Sequence, residues 1–149
     1  MSRFVLLIGP PGAGKSTISK RAKQRGLNAV DLEDFGHGTS GHGARQRAAE
    51  KLIKEQKGDG FVIVAMADID PAIFPKDSAR IMLLPSHDIY LKRLQNRDAL
   101  LPHKKGQEGK ERKYAEFTEW SKKFEYVIHN NSTPEDTLEK ILAYISGRR

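Results

Sequence analysis

Short apolar runs alternate along the chain with segments of helical spacing. Two of the runs, Phe4 to Ile8 and Phe61 to Met66, are continuously apolar, which is typical of strands buried on both faces of a parallel sheet. Three further strands are predicted at Asn28 to Leu32, Arg80 to Leu84 and Phe124 to Ile128. Strands that alternate with helices predict a three-layer α/β/α fold with a mainly parallel sheet.

The helices are predicted from apolar spacing and from residues that favour helix ends. They comprise Lys15 to Arg25, Ala44 to Lys57, a segment after Ser86, a segment running toward Lys123, and a last helix that starts at Thr133 and Pro134. Two glycine-containing stretches lie between them. Gly36 to Gly43 is expected to be a flexible polar loop, and Asp98 to Gly109 a mobile loop.

Composition narrows the possible partners. The chain has 149 residues, which is the size of one domain, and a net charge of +7. A positive charge favours anionic partners, either phosphorylated small molecules or nucleic acid. The chain has no cysteine, no signal peptide pattern and no membrane-span pattern, so we expect a cytoplasmic protein without disulfides or membrane association. A monomer would suffice for an enzyme of this size.

The segment after the first strand carries a phosphate-binding motif. It consists of Gly9, Pro10, Pro11, Gly12, Ala13, Gly14, Lys15, Ser16 and Thr17. Glycines let backbone amides surround phosphate oxygens, and the helix that follows adds its positive dipole end. Lys15 is expected to reach the β- and γ-phosphates of ATP, and Ser16 to ligate Mg²⁺. The alternative is a glycine-rich turn with a surface lysine. Such a turn would need neither the complete motif nor a place between a strand and a helix, so the phosphate-binding interpretation is favoured.

Gly9 to Thr17 closely resembles the phosphate loop of adenylate kinases. The chain as a whole resembles the adenylate, guanylate, shikimate and gluconate kinase group of P-loop kinases. This resemblance implies a five-stranded parallel sheet and MgATP as the phosphoryl donor. It also implies a substrate-binding segment at about residues 34–57 and an arginine-bearing lid at about residues 97–112.

An acidic cluster follows the second strand, where the carboxyl ends of parallel strands gather ligands. Its members are Asp31, Glu33 and Asp34. One carboxylate is expected to orient or deprotonate an acceptor hydroxyl, and another to support Mg²⁺. Glu33 and Asp34 are alternative bases, while Asp31 suits substrate or metal and resembles, with Glu33, the paired acids of shikimate kinases. The alternative is that these acids cap the following turn.

Charged residues on the next two elements extend the predicted acceptor site. Arg45 and Arg47 lie where similar kinases place an arginine that anchors an acidic substrate group. Asp68 follows the third strand and resembles the acid that supports Mg²⁺ in many P-loop proteins. The surrounding sequence lacks the glycines expected of adenylate or shikimate kinases, so the acceptor stays open.

Two predicted features complete the nucleotide site. Arg93 and Arg97 are four residues apart and share one helix face, so both are expected to point at the transferred phosphoryl group, with Arg97 as the arginine finger. Asn130 and Asn131 end a segment that resembles the final strand of guanylate kinases. That resemblance implies a contact with adenine, and a simple turn is the alternative.

Together these features predict ATP-dependent transfer of a γ-phosphoryl group to a hydroxyl or phosphate of a small acceptor. A nucleoside, a nucleotide and a shikimate-like metabolite are the candidates. One alternative is a kinase that acts on a 5′-hydroxyl or modified base of nucleic acid. The other is a P-loop ATPase that switches a partner without transferring phosphate.

Overall fold

A computed structural model describes residues 3–10, 12–36, 38–55, 60–98 and 107–147, and of residues 39, 94–98 and 107–110 only the backbone. Its centre is a sheet of five strands in the order β2-β3-β1-β4-β5, and every recorded pairing is parallel. The strands are β1 (Phe4–Ile8), β2 (Ala29–Asp31), β3 (Val62–Ala65), β4 (Ala79–Leu83) and β5 (Tyr126–Ile128). The predicted α/β fold is therefore confirmed.

Five helices and three short 3-10 turns connect the strands in the described ranges. The helices are α1 (Lys15–Gln24), α2 (His42–Glu55), α3 (His87–Asp98), α4 (Gln107–Ser121) and α5 (Pro134–Gly147). The turns are Leu32–Phe35, Thr39–Gly41 and Pro71–Ile73. None of the helices in the described part of the chain is long and apolar enough to cross a membrane.

The core lies on both faces of β1, which explains why this strand has no polar alternation. Val5 and Leu7 pack into a cluster with residues of α1 and α5. Leu6 packs on the other face, into a cluster that includes Ala49 of α2. All five β1 residues are buried, so the sheet is covered on both sides and its middle strand fixes where the phosphate loop begins.

The segment predicted as a polar loop before α2 is more compact than expected. It contains the two turns Leu32–Phe35 and Thr39–Gly41, and α2 begins at His42, two residues earlier than predicted. A Cβ atom added to Gly36 would lie 2.7 Å from the carbonyl oxygen of Gly41. These two glycines therefore allow the backbone to approach itself closely, which a loop with larger side chains would not do.

The predicted lid falls largely on residues 99–106, which lie outside the described part of the chain. The last residues of the predicted lid belong to α4, which begins at Gln107, whereas the sequence predicted a loop as far as Gly109. The lid's function stays a prediction.

Candidate active site

A cavity of about 510 Å³ opens beside the phosphate loop at the carboxyl end of the sheet. It is bounded by the start of α1, the turn after β2, helix α3 and the segment that joins β5 to α5. Its lining residues are Gly12, Ala13, Gly14, Lys15, Ser16, Thr17, Ile18, Glu33, Arg93, Asn130, Ser132, Pro134 and Thr137. In open parallel sheets, ligands bind where neighbouring connections leave in opposite directions. Here β1 has β3 on one side and β4 on the other, which is such a point.

The phosphate loop has the backbone conformation that its glycines predict. Gly12 and Gly14 have φ values of 84° and 98°, in the left-handed region that other residues rarely adopt. Gly14 caps α1, whose first turn consists of Lys15, Ser16 and Thr17. The amide groups of this turn have no partner within the helix, so they suit an anionic ligand.

Gly9 and Lys15 fix the start of this loop against the sheet. A Cβ atom on Gly9 would lie 2.4 Å from the carbonyl oxygen of Leu83, so only glycine fits beside β4 at this point. The Lys15 Nζ atom donates a hydrogen bond to the Gly9 carbonyl. The Lys15 ammonium group therefore lies over the loop that is predicted to bind the phosphates of ATP. Pro10 follows Gly9 in the described part, whereas Pro11 lies outside it.

Asn130 and Arg93 hold the phosphate loop from the opposite wall. Asn130 is 4% exposed, and its Nδ2 atom donates to the carbonyl of Ala13. Arg93 donates to the same carbonyl over 3.4 Å and to the Asn130 carbonyl over 2.9 Å. Burial lowers the pKa of the Arg93 guanidinium from its ordinary value. Both residues thus line the cavity, as their predicted roles require.

The other two residues predicted beside them have different outcomes. Asn131 does not line the cavity, because its Oδ1 atom accepts a 2.7 Å hydrogen bond from the amide of Ser86. It ties the end of β5 to the segment before α3, which is closer to the simple turn that was the alternative. Arg97 belongs to α3, but its side chain lies outside the described part of the structure.

The acidic cluster after β2 divides into three different environments. Asp31 is 8% exposed, and its Oδ1 atom accepts from the Glu33 amide at 3.0 Å, so it caps the turn. Asp34 is exposed and lies 3.9 Å from the Lys23 Nζ atom of α1, away from the cavity lining. Glu33 alone of the three lines the cavity. Of the two alternative bases, the structure therefore places Glu33 beside the phosphate loop.

Arg45 and Asp68 were predicted to bind substrate and metal separately, but in the structure they bind each other. Arg45 donates from Nε and Nη2 to the two carboxylate oxygens of Asp68, over 2.7 and 2.9 Å. Its Nη1 atom donates to the Gly36 carbonyl over 2.8 Å. His42 Nδ1 lies 2.8 Å from Asp68 Oδ2. Arg45 and Asp68 thus bind each other, and their separate roles toward substrate and metal stay predictions; Arg47 is exposed.

These contacts set the charge state of the cluster. The hydrogen bonds from Arg45 hold the pKa of Asp68 well below its usual range, against the opposing effect of burial. The hydrogen bond to Asp68 raises the pKa of Arg45, and the nearby charge of Glu33 adds to this rise. Asp68 and Arg45 are therefore both charged at neutral pH, and Glu33 lies close enough to Arg45 to favour its charged form.

ATP and Mg²⁺ can be tested against the side chains present. The start of α1, which has no side-chain cap, fits a magnesium-bound triphosphate, as do Lys15 and the exposed Ser16. The buried Oδ1 atom of Asn130 has no hydrogen-bond partner among the described residues. Within the described ranges, no group of three or more His, Cys, Asp or Glu side chains could hold a metal ion by itself. A metal at this site would therefore depend on phosphate oxygens, as it does in P-loop proteins.

Sequence reasoning missed the contact of His42 with Asp68 and the place of Pro134 and Thr137 in the cavity lining, although it extended the predicted adenine contact from Asn130 to Thr133. His42 is three residues before Arg45, a helical spacing that places both on one face, but the preceding glycines suggested a loop instead. Ser132, Pro134 and Thr137 line the cavity because α5 begins beside the phosphate loop. A predicted helix start gives no indication of which loop it will face.

Solved kinases have similar structures. A shikimate kinase from Acinetobacter baumannii was solved in complex with shikimate and is 19% identical to this chain. The match covers 99% of this chain and 94% of the shikimate kinase, with a TM-score of 0.65. A gluconokinase from Sinorhizobium meliloti 1021 is 13% identical, with coverages of 95% and 90% and a TM-score of 0.64. A deoxyadenosine kinase from M. mycoides with bound dATP is 18% identical, with coverages of 96% and 99% and a TM-score of 0.66.

At these identities the likeness establishes the fold, which is that of the P-loop kinase group named by the sequence resemblance. No protein-family model matches the chain, and no curated protein matches it.

Proposed function

We propose that this protein is an ATP-dependent kinase that transfers the γ-phosphoryl group to a small acceptor. The observation that carries this proposal is that Lys15 of the phosphate loop and the carboxylate of Glu33 line the same cavity. A nucleotide switch requires the loop and a carboxylate that supports Mg²⁺. A phosphotransferase also requires a place for the acceptor next to the loop, and Glu33 marks such a place.

The donor half would bind the triphosphate through the amides of α1 and through Lys15. The Ser16 hydroxyl would hold Mg²⁺ together with phosphate oxygens, and Asp31 could support a water in its shell. Bound Mg²⁺ supplies charge neutralisation on the phosphates. Asn130 Oδ1 would accept a hydrogen bond from the amino group of adenine, because it is buried and unpaired among the described contacts.

The acceptor half would supply a base where the acceptor is a hydroxyl. The acceptor oxygen forms a bond to the γ-phosphorus while the bond from that phosphorus to the β–γ bridging oxygen breaks. The hydroxyl proton passes to the Glu33 carboxylate, and ADP leaves. An ionised phosphate acceptor would need no base.

Arginine charge would stabilise the transferred group. Arg93 lines the cavity and is held by two carbonyls, so it would position the phosphate loop and add positive charge. The predicted arginine finger, Arg97, lies one helical turn further along α3 and stays a prediction.

Transfer of label from ATP tests this function without a prior choice of acceptor. The protein is incubated with Mg²⁺, γ-phosphate-labelled ATP and the low-molecular-weight fraction of a cell extract. Parallel reactions contain nucleosides, nucleoside monophosphates, shikimate, gluconate or DNA oligonucleotides. We expect label in a small product that depends on an added acceptor.

Two other outcomes would contradict the proposal. Label that enters only DNA would identify a nucleic-acid kinase. Release of labelled phosphate at the same rate with and without acceptors, and without any labelled product, would identify a nucleotide hydrolase.

A further inference from the structure

A second cavity, of about 420 Å³, opens at the starts of β4 and β5. We call it the amino-edge cavity. Its lining includes Lys76 and Arg80 at the start of β4, and Trp120, Lys123 and Phe124 before β5. The recorded strand pairings are all parallel, and the phosphate loop follows the end of β1, so the two cavities lie toward opposite edges of the sheet. No described residue lines both of them.

Arg80 lines the amino-edge cavity with few protein partners of its own. Its Nη2 atom donates to the Pro71 carbonyl over 3.5 Å, and its buried Nε atom has no partner among the described residues. Arg45, in contrast, donates to three protein oxygens over 2.7 to 2.9 Å. A part-buried guanidinium with so few acceptors suits an anionic ligand, because phosphate and carboxylate groups accept two parallel hydrogen bonds from arginine.

The charges around Arg80 also favour an anion. Lys76 and Lys123 line the same cavity, are exposed, and form no ion pair within the described ranges. The two acids of the lining, Asp70 and Glu125, already accept hydrogen bonds, from a main-chain amide over 2.9 Å and from a tyrosine hydroxyl over 3.1 Å. Three cations against two carboxylates leave the lining with a net positive charge.

Trp120 gives the amino-edge cavity an aromatic surface. The side chain is 36% exposed, whereas most large apolar side chains of the described part are buried. Its ring contacts with Phe117 and Phe124 have interplanar angles of 50° and 80°. Neither phenyl ring therefore lies flat on the indole. An exposed indole in a cavity suits a planar ring, because aromatic faces attract one another by stacking.

From these features we infer that the amino-edge cavity is a second binding site, for a small molecule that joins a planar ring to an anionic group, as a nucleoside monophosphate does. The anionic group binds Arg80, supported by the charges of Lys76 and Lys123, and the ring stacks on Trp120. The volume is in the range of small-molecule sites, whereas a nucleic-acid strand follows an extended groove. The inference uses no residue of the phosphate loop, so it does not depend on the proposed function.

Trp120 allows a direct test, because it is the only tryptophan of the chain. Wild-type protein is titrated with AMP and with nicotinate, which carry a phosphate and a carboxylate, while indole fluorescence is followed. N-acetyltryptophanamide corrects for collisional quenching. We expect saturable quenching, and adenosine and ribose 5-phosphate, which each lack one of the two groups, should compete with AMP about tenfold more weakly. The tighter of AMP and nicotinate identifies the anion, and no saturable quenching by either would overturn the inference.

Substitution of Arg80 separates binding from stability. Arg80→Met should weaken AMP binding about tenfold, because it removes the two parallel hydrogen bonds. The thermal midpoint without ligand should not fall, since the variant also loses a buried N–H group that has no partner. Arg25→Met is the matched control, because Arg25 binds Glu139 outside both cavity linings, and it should bind AMP like the wild type. Equal AMP affinities in the two variants would overturn the role of Arg80.

A second variant covers the case in which Arg80→Met does not fold. Lys76→Met/Lys123→Met changes two exposed side chains, and it should bind AMP several-fold more weakly at low salt. Unchanged affinity in this folded protein would overturn the inference.

Two further measurements identify the cavity and the kind of ligand. Lys15→Ala removes the ammonium group of the proposed donor site, so AMP should still quench Trp120 with wild-type affinity. Loss of quenching in this variant would place AMP at the phosphate loop and overturn the inference. Quenching by a single-stranded oligonucleotide but not by AMP would also overturn it, and would indicate a nucleic-acid surface instead.

Discussion

The phosphate loop, which we call the main-chain wall, lines the cavity largely through its backbone, whereas the Arg45–Asp68 pair near the ends of β2 and β3, which we call the side-chain wall, lies outside the cavity lining. In the first, glycines with positive φ and the amides of α1 make the site. In the second, Arg45 and Asp68 make it by pairing with each other. A main-chain site binds any triphosphate of the right shape. The side-chain wall differs in that a single substitution there removes one partner of a charged pair.

The largest effect is expected on the main-chain wall, from its one essential side chain. Lys15→Ala removes the charge proposed to meet the β- and γ-phosphates, so turnover should fall about a thousandfold. Phosphoryl transfer at saturating acceptor measures this. Lys20→Ala changes an exposed lysine of the same helix and is expected to keep the wild-type rate. Turnover near the wild-type rate in a folded Lys15→Ala protein would remove the basis of the proposed mechanism.

The next largest effect is expected on thermal stability, to which the Arg45–Asp68 pair of the side-chain wall should contribute. Arg45→Met removes the cation of Asp68 and the donor to Gly36, so the thermal midpoint should fall by about 5 °C. In the double variant Arg45→Met/Asp68→Leu, no carboxylate is left unpaired, and part of this loss should return. Calorimetry of both proteins checks the prediction. Equal midpoints in wild-type and Arg45→Met protein would show that the pair does not hold the segment before α2.

A pair of glycine substitutions separates backbone cost from ligand binding. Gly14→Ala and Gly26→Ala both force alanine to a positive φ, which costs about 1–2 kcal/mol in each case. At Gly14 the new Cβ would also lie 3.1 Å from Asn130 Nδ2, whereas at Gly26 nothing lies within 4 Å. We expect ATP to bind Gly14→Ala about tenfold more weakly and Gly26→Ala with wild-type affinity. Titration calorimetry measures the two ATP affinities. An equal loss of affinity in both variants would indicate general destabilisation instead of a change in the binding site.

The smallest effect is the pH dependence of stability. Because the folded-state pKa of Asp68 is depressed, its ionised form stabilises the fold above its unfolded pKa of about 3.9, and this contribution is lost as pH falls toward the lower folded value. The side chain is half exposed, so the effect should stay under about 1 kcal/mol. Urea unfolding of wild-type and Asp68→Asn protein at pH 7 and pH 3 measures it. In an Arg45→Met background the pH-dependent difference should disappear.

The contrast between the two walls also explains which parts were predictable. The strands, the phosphate loop and α1 follow from local patterns, because apolar runs and glycine positions specify backbone conformation directly. The Arg45–Asp68 pair joins residues 23 positions apart, and no local pattern indicates it. Each residue was plausible as a ligand alone. The same limit applies to Asn131, which binds Ser86 45 residues away, whereas the cap that Asp31 makes is local and was the stated alternative.

The contact between Asn130 and Ala13 has a consequence for how the protein is made. The residues are 117 positions apart, so a ribosome produces the whole phosphate motif long before its opposite wall exists. Until β5 joins the edge of the sheet, the Ala13 carbonyl lacks the Asn130 amide, and Arg93 lacks one of its two carbonyl partners. If the protein binds ATP as proposed, full affinity should therefore arise only in the last stage of folding.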